Sequence, residues 1–328
     1  MRRHTKKVEE IVRPHCGDRK NMITKEIVQA KLAAWGLQNL PVEAHWNPNT
    51  GERFANTWRV GDDLFFKVGT DLAGLRTHIA LSKAMKRQGF AVSLPVQTLD
   101  GRDYLAEDGH CCSLSRRVDG TTLEKQLLFT PDGEALARKL GRAIGRLDAA
   151  LAGFDRPCEA SDLPQTMKTW GLPGLRKLCT LDEGFYQQFL PALERLWPQL
   201  PQQMIHRDPN PGNVLVRDGE IVGFLDFELS QRSARLCDPC YAAMAILSES
   251  FAEHRDQWPG LLHAILEGYD ETAQLTETEK EAIPYILFSI QITCTVWFSE
   301  QPQCRELAET NLQMLKWMME SENCLYKK

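Results

Sequence analysis

The chain has 328 residues, 43% of them hydrophobic and 25% charged, with a formal net charge of −5. That length accommodates two units with cores of their own, and the acidic balance disfavours a general nucleic-acid or membrane-surface binder. Ten cysteines follow no repeating pattern, as expected of free thiols in a reducing cytoplasm. Cys237-Asp-Pro-Cys240 has neither the second Cys pair nor the His pair that a zinc or redox site would want nearby.

Residues 1–21 hold seven Lys/Arg against three Asp/Glu and contain no apolar run. They read as a basic, mobile tail rather than a signal peptide, with Met22 a possible alternative start. ITKEIVQAKLAAWGL, residues 23–37, carries apolar positions at helical spacing and ends at Gly36. FANTWRVGDDLFFKV then alternates around Gly61-Asp62, predicting two strands and a tight turn. Residues 72–88 return to a helical period and stop at Gly89. VSLPVQTLDGRDYLAE and HCCSLSRRV read as strands, with a hairpin expected at Asp100-Gly101. Residues 22–117 therefore predict a small mixed unit, and residues 118–328 a mainly helical one.

In the second unit, PDGEALARKLGRAIGRLDAALAGF and FYQQFLPALERLWPQL predict amphipathic helices. Residues 155–183 between them read as a Pro- and Gly-punctuated functional insertion. Asp238-Pro239 predicts a helix start, with Asp238 as cap. Thr276 and Glu279 have capping-box spacing. IPYILFSIQITCTVWF, residues 283–298, is broken by Pro284, Ser289, Gln291 and two Thr. It predicts a buried helix, too short to span a bilayer.

The densest chemistry lies in IHRDPNPGNVLVRDGEIVGFLDFE, residues 205–228. VLV and IVGF flank Asp218-Gly219, which predicts a β-hairpin with a type I′ turn. Such a hairpin would bring Asn213 and Asp226, at its two ends, side by side. An Asn carbonyl and an Asp carboxylate are hard oxygen ligands of the kind Mg²⁺ takes beside phosphates. Asp208, five residues before Asn213 in a Pro-containing loop, would orient a hydroxyl and accept its proton. Asn and Asp favour turns, which accounts for one or two of these residues but not for the set.

His206-Arg207-Asp208, Asn213 and Asp226-Phe227 resemble the catalytic and metal loops of the protein-kinase-like superfamily. The form H-x-D-x-x-P-G-N…D-F-E is similar to that of the aminoglycoside phosphotransferase and choline kinase-like family. The resemblance covers roughly residues 50 to 300, and its specific part is residues 205–228. It implies an α+β, bilobal protein-kinase-like fold: a small N-terminal lobe with an antiparallel sheet and a larger, mainly helical C-terminal lobe. It also implies transfer of the γ-phosphate of ATP, with Mg²⁺, to a hydroxyl of a small molecule such as an amino alcohol, amino acid, sugar or aminoglycoside. On this pattern Asp208 is the base, Asn213 and Asp226 hold Mg²⁺, and His206, Arg207, Asn210 and Glu228 support them. Lys67 in LFFKVG reaches the phosphates, Asn56 belongs to the loop covering them, and Ser115, Arg116, Arg117 and Val118 meet adenine.

The family pattern also places a Glu on the helix after the lysine strand, to pair with that lysine. Here the slot falls on His78, and residues 72–88 contain no acid. Lys67 would then rely on phosphates, on Asp226, or on a carboxylate from another helix. The substitution keeps open a nucleotide-binding pseudokinase. A protein kinase is disfavoured, because only twelve residues separate Asp226 from Asp238 and no A-P-E follows.

Overall fold

The computed structural model describes residues 23–46, 53–155, 160–248 and 250–320. The basic tail lies outside them. Contacts divide the chain into two units. The first runs up to Gly120 and takes back one distant segment, Leu225–Glu228; the second holds Thr121–Phe224 and Leu229 onward.

The first unit opens with α1 (Lys25–Lys31), tightened into a 3₁₀ turn over Leu32–Trp35 before Gly36. Five strands follow: β1 (Val42–Trp46), β2 (Arg53–Val60), β3 (Leu64–Gly69), β4 (Leu105–Glu107) and β5 (His110–Arg116). They form an antiparallel sheet in the order β1-β2-β3-β5-β4. Helix α2 (Leu72–Arg87) lies between β3 and β4 in the chain, and the Asp71 side chain caps it by accepting from the Gly74 amide at 2.9 Å.

The two-residue period of a strand sorts side chains between the faces of this sheet. Leu64, Phe66 and Val68 of β3 join Val28, Leu32, Trp35, Trp58 and Leu114 in the core. Burying a side chain such as Phe66 contributes about 1.5–3 kcal/mol. Lys67 takes the intervening position, opposite Ser113 of β5, and so points to the other face. There Leu75 and Ile79 of α2 pack on Cys111.

The expected hairpin at Asp100-Gly101 is not formed. Residues 92–104 carry no strand, and the hairpin turns instead at Asp108-Gly109, joining β4 to β5. Thr98 explains the difference. Its amide donates to Arg102 O at 2.8 Å, and its Oγ1 accepts from the Arg102 amide at 2.9 Å. These local bonds satisfy groups that a ladder would have used.

The second unit contains β6 (Thr121–Thr122), α3 (Gly133–Ala152) and α4 (Glu183–Leu196), then β7 (Gln202–Ile205), β8 (Val214–Arg217), β9 (Glu220–Phe224) and β10 (Gln231–Ala234). Four longer helices, α5 (Cys237–Ser248), α6 (Trp258–Ala273), α7 (Glu277–Ser299) and α8 (Arg305–Glu320), follow, with a single helical turn at Phe251–His254 between the first two. Strands pair as β6-β8-β9 and β10-β7. The hairpin expected at Asp218-Gly219 is present: both residues have positive φ (52° and 75°), and Val214 pairs with Phe224. The described part of residues 155–183 is helical rather than irregular, with short helices at Leu163–Thr166 and Leu172–Leu178. Pro164 sits in the first turn of the former, where a missing amide hydrogen costs nothing, and a π-helical stretch, Met167–Gly171, runs directly into the latter.

Helix α7 begins earlier than the apolar run suggested, at a complete Thr276/Glu279 capping box. At 23 residues it is long and apolar enough to cross a membrane by length and composition. Ile286, Leu287 and Ile292 are nonetheless fully buried within the unit, as in the core helix of a globular fold. Glu279 also takes a paired contact from Arg235, whose Nε and Nη2 lie 2.8 Å from its two oxygens. That pair ties the β10–α5 turn to the start of α7.

Helices α3 and α6 approach until backbone touches backbone. A Cβ on Gly141 would stand 1.9 Å from Ile265 O, and one on Gly268 2.0 Å from Arg138 O. Gly268→Ala is therefore expected to force the helices apart and lower the thermal unfolding midpoint by about 4 °C or more, the scale of an overpacking cost of about 1–3 kcal/mol. Circular dichroism melting checks this, and an unchanged midpoint would contradict the close packing.

Candidate active site

In the second unit, β7 delivers the chain into a loop whose conformation a β-strand could not supply. Arg207 has φ 73°, a left-handed conformation that costs an Arg of order 1–3 kcal/mol and needs outside support. Asp238 provides it. Its buried carboxylate accepts from the amides of His206 and Arg207, both at 2.7 Å. The expectation that Asp238 caps α5 is thereby corrected. The helix already starts at Cys237, and a carboxylate aimed at two loop amides has a stronger partner than a solvated helix end. His206 is fully buried, lies against Phe224, and accepts the Asp208 amide on Nδ1 at 3.2 Å.

Asp208 is thus presented from a fixed backbone, and its carboxylate is oriented by side chains. Asn210 Nδ2 donates to Oδ1 at 2.7 Å and Asn213 Nδ2 to Oδ2 at 3.0 Å. The Asn213 amide also donates to the Asp208 carbonyl at 2.9 Å. With its NH₂ committed, Asn213 has only its carbonyl oxygen left to offer. Asn210 is fixed in turn, its Oδ1 accepting the Gly212 amide at 2.8 Å. Tyr241 of α5 hydrogen-bonds Asp208 as well, and burial together with that carboxylate keeps its phenol protonated. Burial and the Asp208 charge also push the nearby Cys294 thiol up to about 12.

Beneath the loop lies a second acid that the sequence reading passed over. Asp148 of α3 is buried, accepts from Tyr269 Oη at 2.7 Å on Oδ2, and is hydrogen-bonded to Asp238. No donor faces its Oδ1. Two buried carboxyls in contact share one proton, and Oδ1 of Asp148 is the atom to carry it. Burial and then the Asp238 charge raise the Asp148 pKa well above the usual carboxylate range. Asp238 is also pushed up, to about 6, by burial, against the opposing pull of the Arg207 and His206 amides. The signal was in the sequence: Asp148 continues the buried Gly141, Ile144, Gly145 face of α3, where an acid is out of place.

In the first unit, Lys67 sits between two carboxylates, 2.9 Å from Asp226 Oδ2 and 3.1 Å from Glu228 Oε1. Burial alone would lower its pKa; the two carboxylates more than offset that and hold it fully charged. His78, at the slot where a Glu was expected, accepts the Phe227 amide on Nδ1 at 3.1 Å. Burial lowers its pKa, consistent with a neutral, accepting ring. Asp226 itself has φ 58°, so the segment carrying it is strained and anchored at its middle residue. Glu228, expected only as a supporting residue, is the second partner of Lys67.

The remaining expected residues lie on strands of the first unit or directly after them, and Asn56, expected in a loop covering the phosphates, belongs to a strand instead. Asn56 is exposed on β2. Ser115 and Arg116 end β5, where Arg116 Nη1 lies 3.0 Å from Asp63 Oδ2. Arg117 follows with its amide on Asp63 O at 2.7 Å, and Val118 comes directly after it. Cys237 and Cys240 are held as thiols, burial pushing Cys237 up to about 12 and Cys240 further. Among the described residues, no group of three or more His, Cys, Asp or Glu side chains is placed to hold a metal ion. A cation here would take protein oxygens in ones and twos beside phosphates, which is how Mg²⁺ is usually bound.

Comparison with known proteins agrees with this chemistry. Residues 47–278 match the sequence model of APH, the phosphotransferase enzyme family. A homoserine kinase of Phenylobacterium zucineum is 25% identical over 222 residues, 63% of this chain and 63% of that protein. The chain therefore spans under two thirds of the length of this curated relative. A microcompartment-associated aminopropanol kinase superposes with a TM-score of 0.68 at 14% identity, covering 90% of this chain and 97% of that one. An amicoumacin kinase solved with AMP-PNP and Ca²⁺ gives 0.65 at 15% identity, covering 98% and 95%. The α+β, protein-kinase-like fold expected from the sequence is the fold of these neighbours.

The Asp148–Asp238 pair makes stability depend on pH with a definite sign. The unfolded Asp148 carboxyl releases its proton near pH 4, whereas the folded one retains it to higher pH. Stabilisation is thus complete below about pH 4 and is lost as pH rises through the folded pKa. Asp148→Asn mimics the neutral acid at every pH. Its midpoint relative to the native chain is expected to rise by about 2–5 °C between pH 5 and pH 8. Thermal melts at both pH values measure this, and a pH-independent difference would contradict it.

Proposed function

The chain belongs to the phosphotransferase enzyme family, and from that premise we propose that it is an ATP- and Mg²⁺-dependent kinase acting on a hydroxyl of a small molecule. The observation that carries the reading is the Asp208 carboxylate, oriented by Asn210, Asn213 and Tyr241 on a loop that Asp238 holds in place. Asp208 orients the acceptor hydroxyl and takes its proton as the new oxygen–phosphorus bond forms and the bond from the γ-phosphorus to the bridging oxygen breaks, with ADP leaving. Asn213, through its carbonyl oxygen, and Asp226 are the residues to hold Mg²⁺, which when bound neutralises charge on the phosphates. Lys67 supplies a fixed positive charge for the same phosphates. Catalysis is then mostly positioning and charge neutralisation, as phosphoryl transfer requires.

His78 on α2 had kept a pseudokinase open. Glu228 gives Lys67 the carboxylate that α2 lacks, so that motive falls away. The segment after Asp226 is filled by a short turn and by β10, paired to β7, which speaks against a long peptide-docking segment. Homoserine and aminopropanol, acted on by the relatives named above, are the first acceptors to try, followed by other amino alcohols, hydroxy amino acids, sugars and aminoglycosides. We place the enzyme in the cytoplasm, in keeping with described cysteines that form no disulfide.

An ADP-release assay across such compounds tests the reading. Asp208→Asn is expected to lower kcat on the best acceptor by about 10²–10⁴-fold, with Mg-ATP affinity changed by no more than about twofold. Undiminished turnover in that variant would sink the assignment of Asp208.

A further inference from the structure

Lys67 faces two carboxylates where one would neutralise it. Asp226 Oδ2 lies at 2.9 Å and Glu228 Oε1 at 3.1 Å, and the three side chains are only 26%, 27% and 28% exposed. His78 stands beside them, its Nδ1 accepting the Phe227 amide. The cluster brings one ammonium and two carboxylates together. A surplus negative charge in a half-buried site is unfavourable unless a further cation balances it.

Resting on the kinase reading above, we propose that Glu228 is a positioning residue that keeps Lys67 in place when Asp226 turns to a divalent cation. Asp226 cannot give its carboxylate fully to both an ammonium and a metal, and a half-buried ammonium without a counter-charge is costly. Helix α2 offers no substitute, since residues 72–88 contain no acid. Glu228 can take the task because its backbone is fixed. Phe227 is tied to α2 through His78 Nδ1 at 3.1 Å, and the Glu228 amide faces Asp226 Oδ1 at 3.4 Å. The two carboxylates divide the work: Asp226 serves the cation, and Glu228 holds the lysine aimed at the phosphates. His78 contributes by anchoring the segment rather than by charge.

The test is equilibrium binding of AMP-PNP to the full chain by titration calorimetry, with Mg²⁺ and with EDTA. Four proteins are compared: the native chain, Glu228→Gln, Lys67→Met and the double variant. Glu228→Gln is expected to weaken binding with Mg²⁺ about tenfold and not to weaken it in EDTA; in the Lys67→Met background it should add no more than about twofold. An equal loss in both backgrounds would mean that Glu228 serves the metal directly, which overturns the proposal. Unchanged binding by Glu228→Gln overturns it as well. A native chain that fails to bind the nucleotide at all overturns the kinase reading, and this proposal with it. Thermal unfolding reports whether each variant folds. If Glu228→Gln does not, Glu228→Asp replaces it, with an expected loss of about threefold with Mg²⁺ under the same double-variant criterion.

Discussion

Two amide hydrogens pointing at one buried carboxylate decide the shape of the second unit's reactive loop. Asp238 holds the amides of His206 and Arg207, and that grip supports the left-handed Arg207. Once Arg207 is set, the direction of the chain at Asp208 is set too. Asn210 and Asn213 then need only orient a carboxylate that is already in position. Asp148 extends the arrangement inward, contributing a proton rather than a second charge, and Tyr269 satisfies its other oxygen. A chain of hydrogen bonds thus runs from α3 and α6 through Asp238 to the loop, most of it buried where water would otherwise compete.

The first unit solves a different problem, a half-buried ammonium. Strand alternation sends Lys67 out of the core and onto the α2 face of the sheet, where desolvation has to be offset by opposite charge. That charge comes from Leu225–Glu228, a segment more than a hundred and fifty residues later in the chain, which groups with the first unit rather than with the strand it follows. Leu225–Glu228 therefore completes the charge balance of the first unit from a distant part of the chain.

How much of this was legible depended on how local the cause was. The Asp218-Gly219 hairpin, the capping box at Thr276, and the placement of Lys67 on β3 follow from residues only a few positions apart, and each was readable. The strand expected before Asp100 failed because Thr98 captured its own neighbours' backbone groups, a competition that hydrophobic alternation does not register. Asp238 was read as a helix cap because Asp-Pro at a helix start is ordinary. Its use was set by amides more than thirty residues upstream. His78 was recognised as a departure, but the carboxylate compensating for it lay outside the helix where it was sought.

The sequence by itself determined the residue types and their order along the chain: an acid and an amide five apart, a turn that reverses the strand after them, a second acid beyond it, and a lysine on an earlier strand. Those features rest on backbone periodicity and turn chemistry, which act over a few residues. The tertiary structure alone decided which buried groups share a proton, which amides hold the strained Arg207, and that Glu228 rather than a helix residue answers Lys67. Burial raises the cost of every unmatched charge and unpaired donor, so partners are chosen by proximity in the folded chain, which no local pattern records.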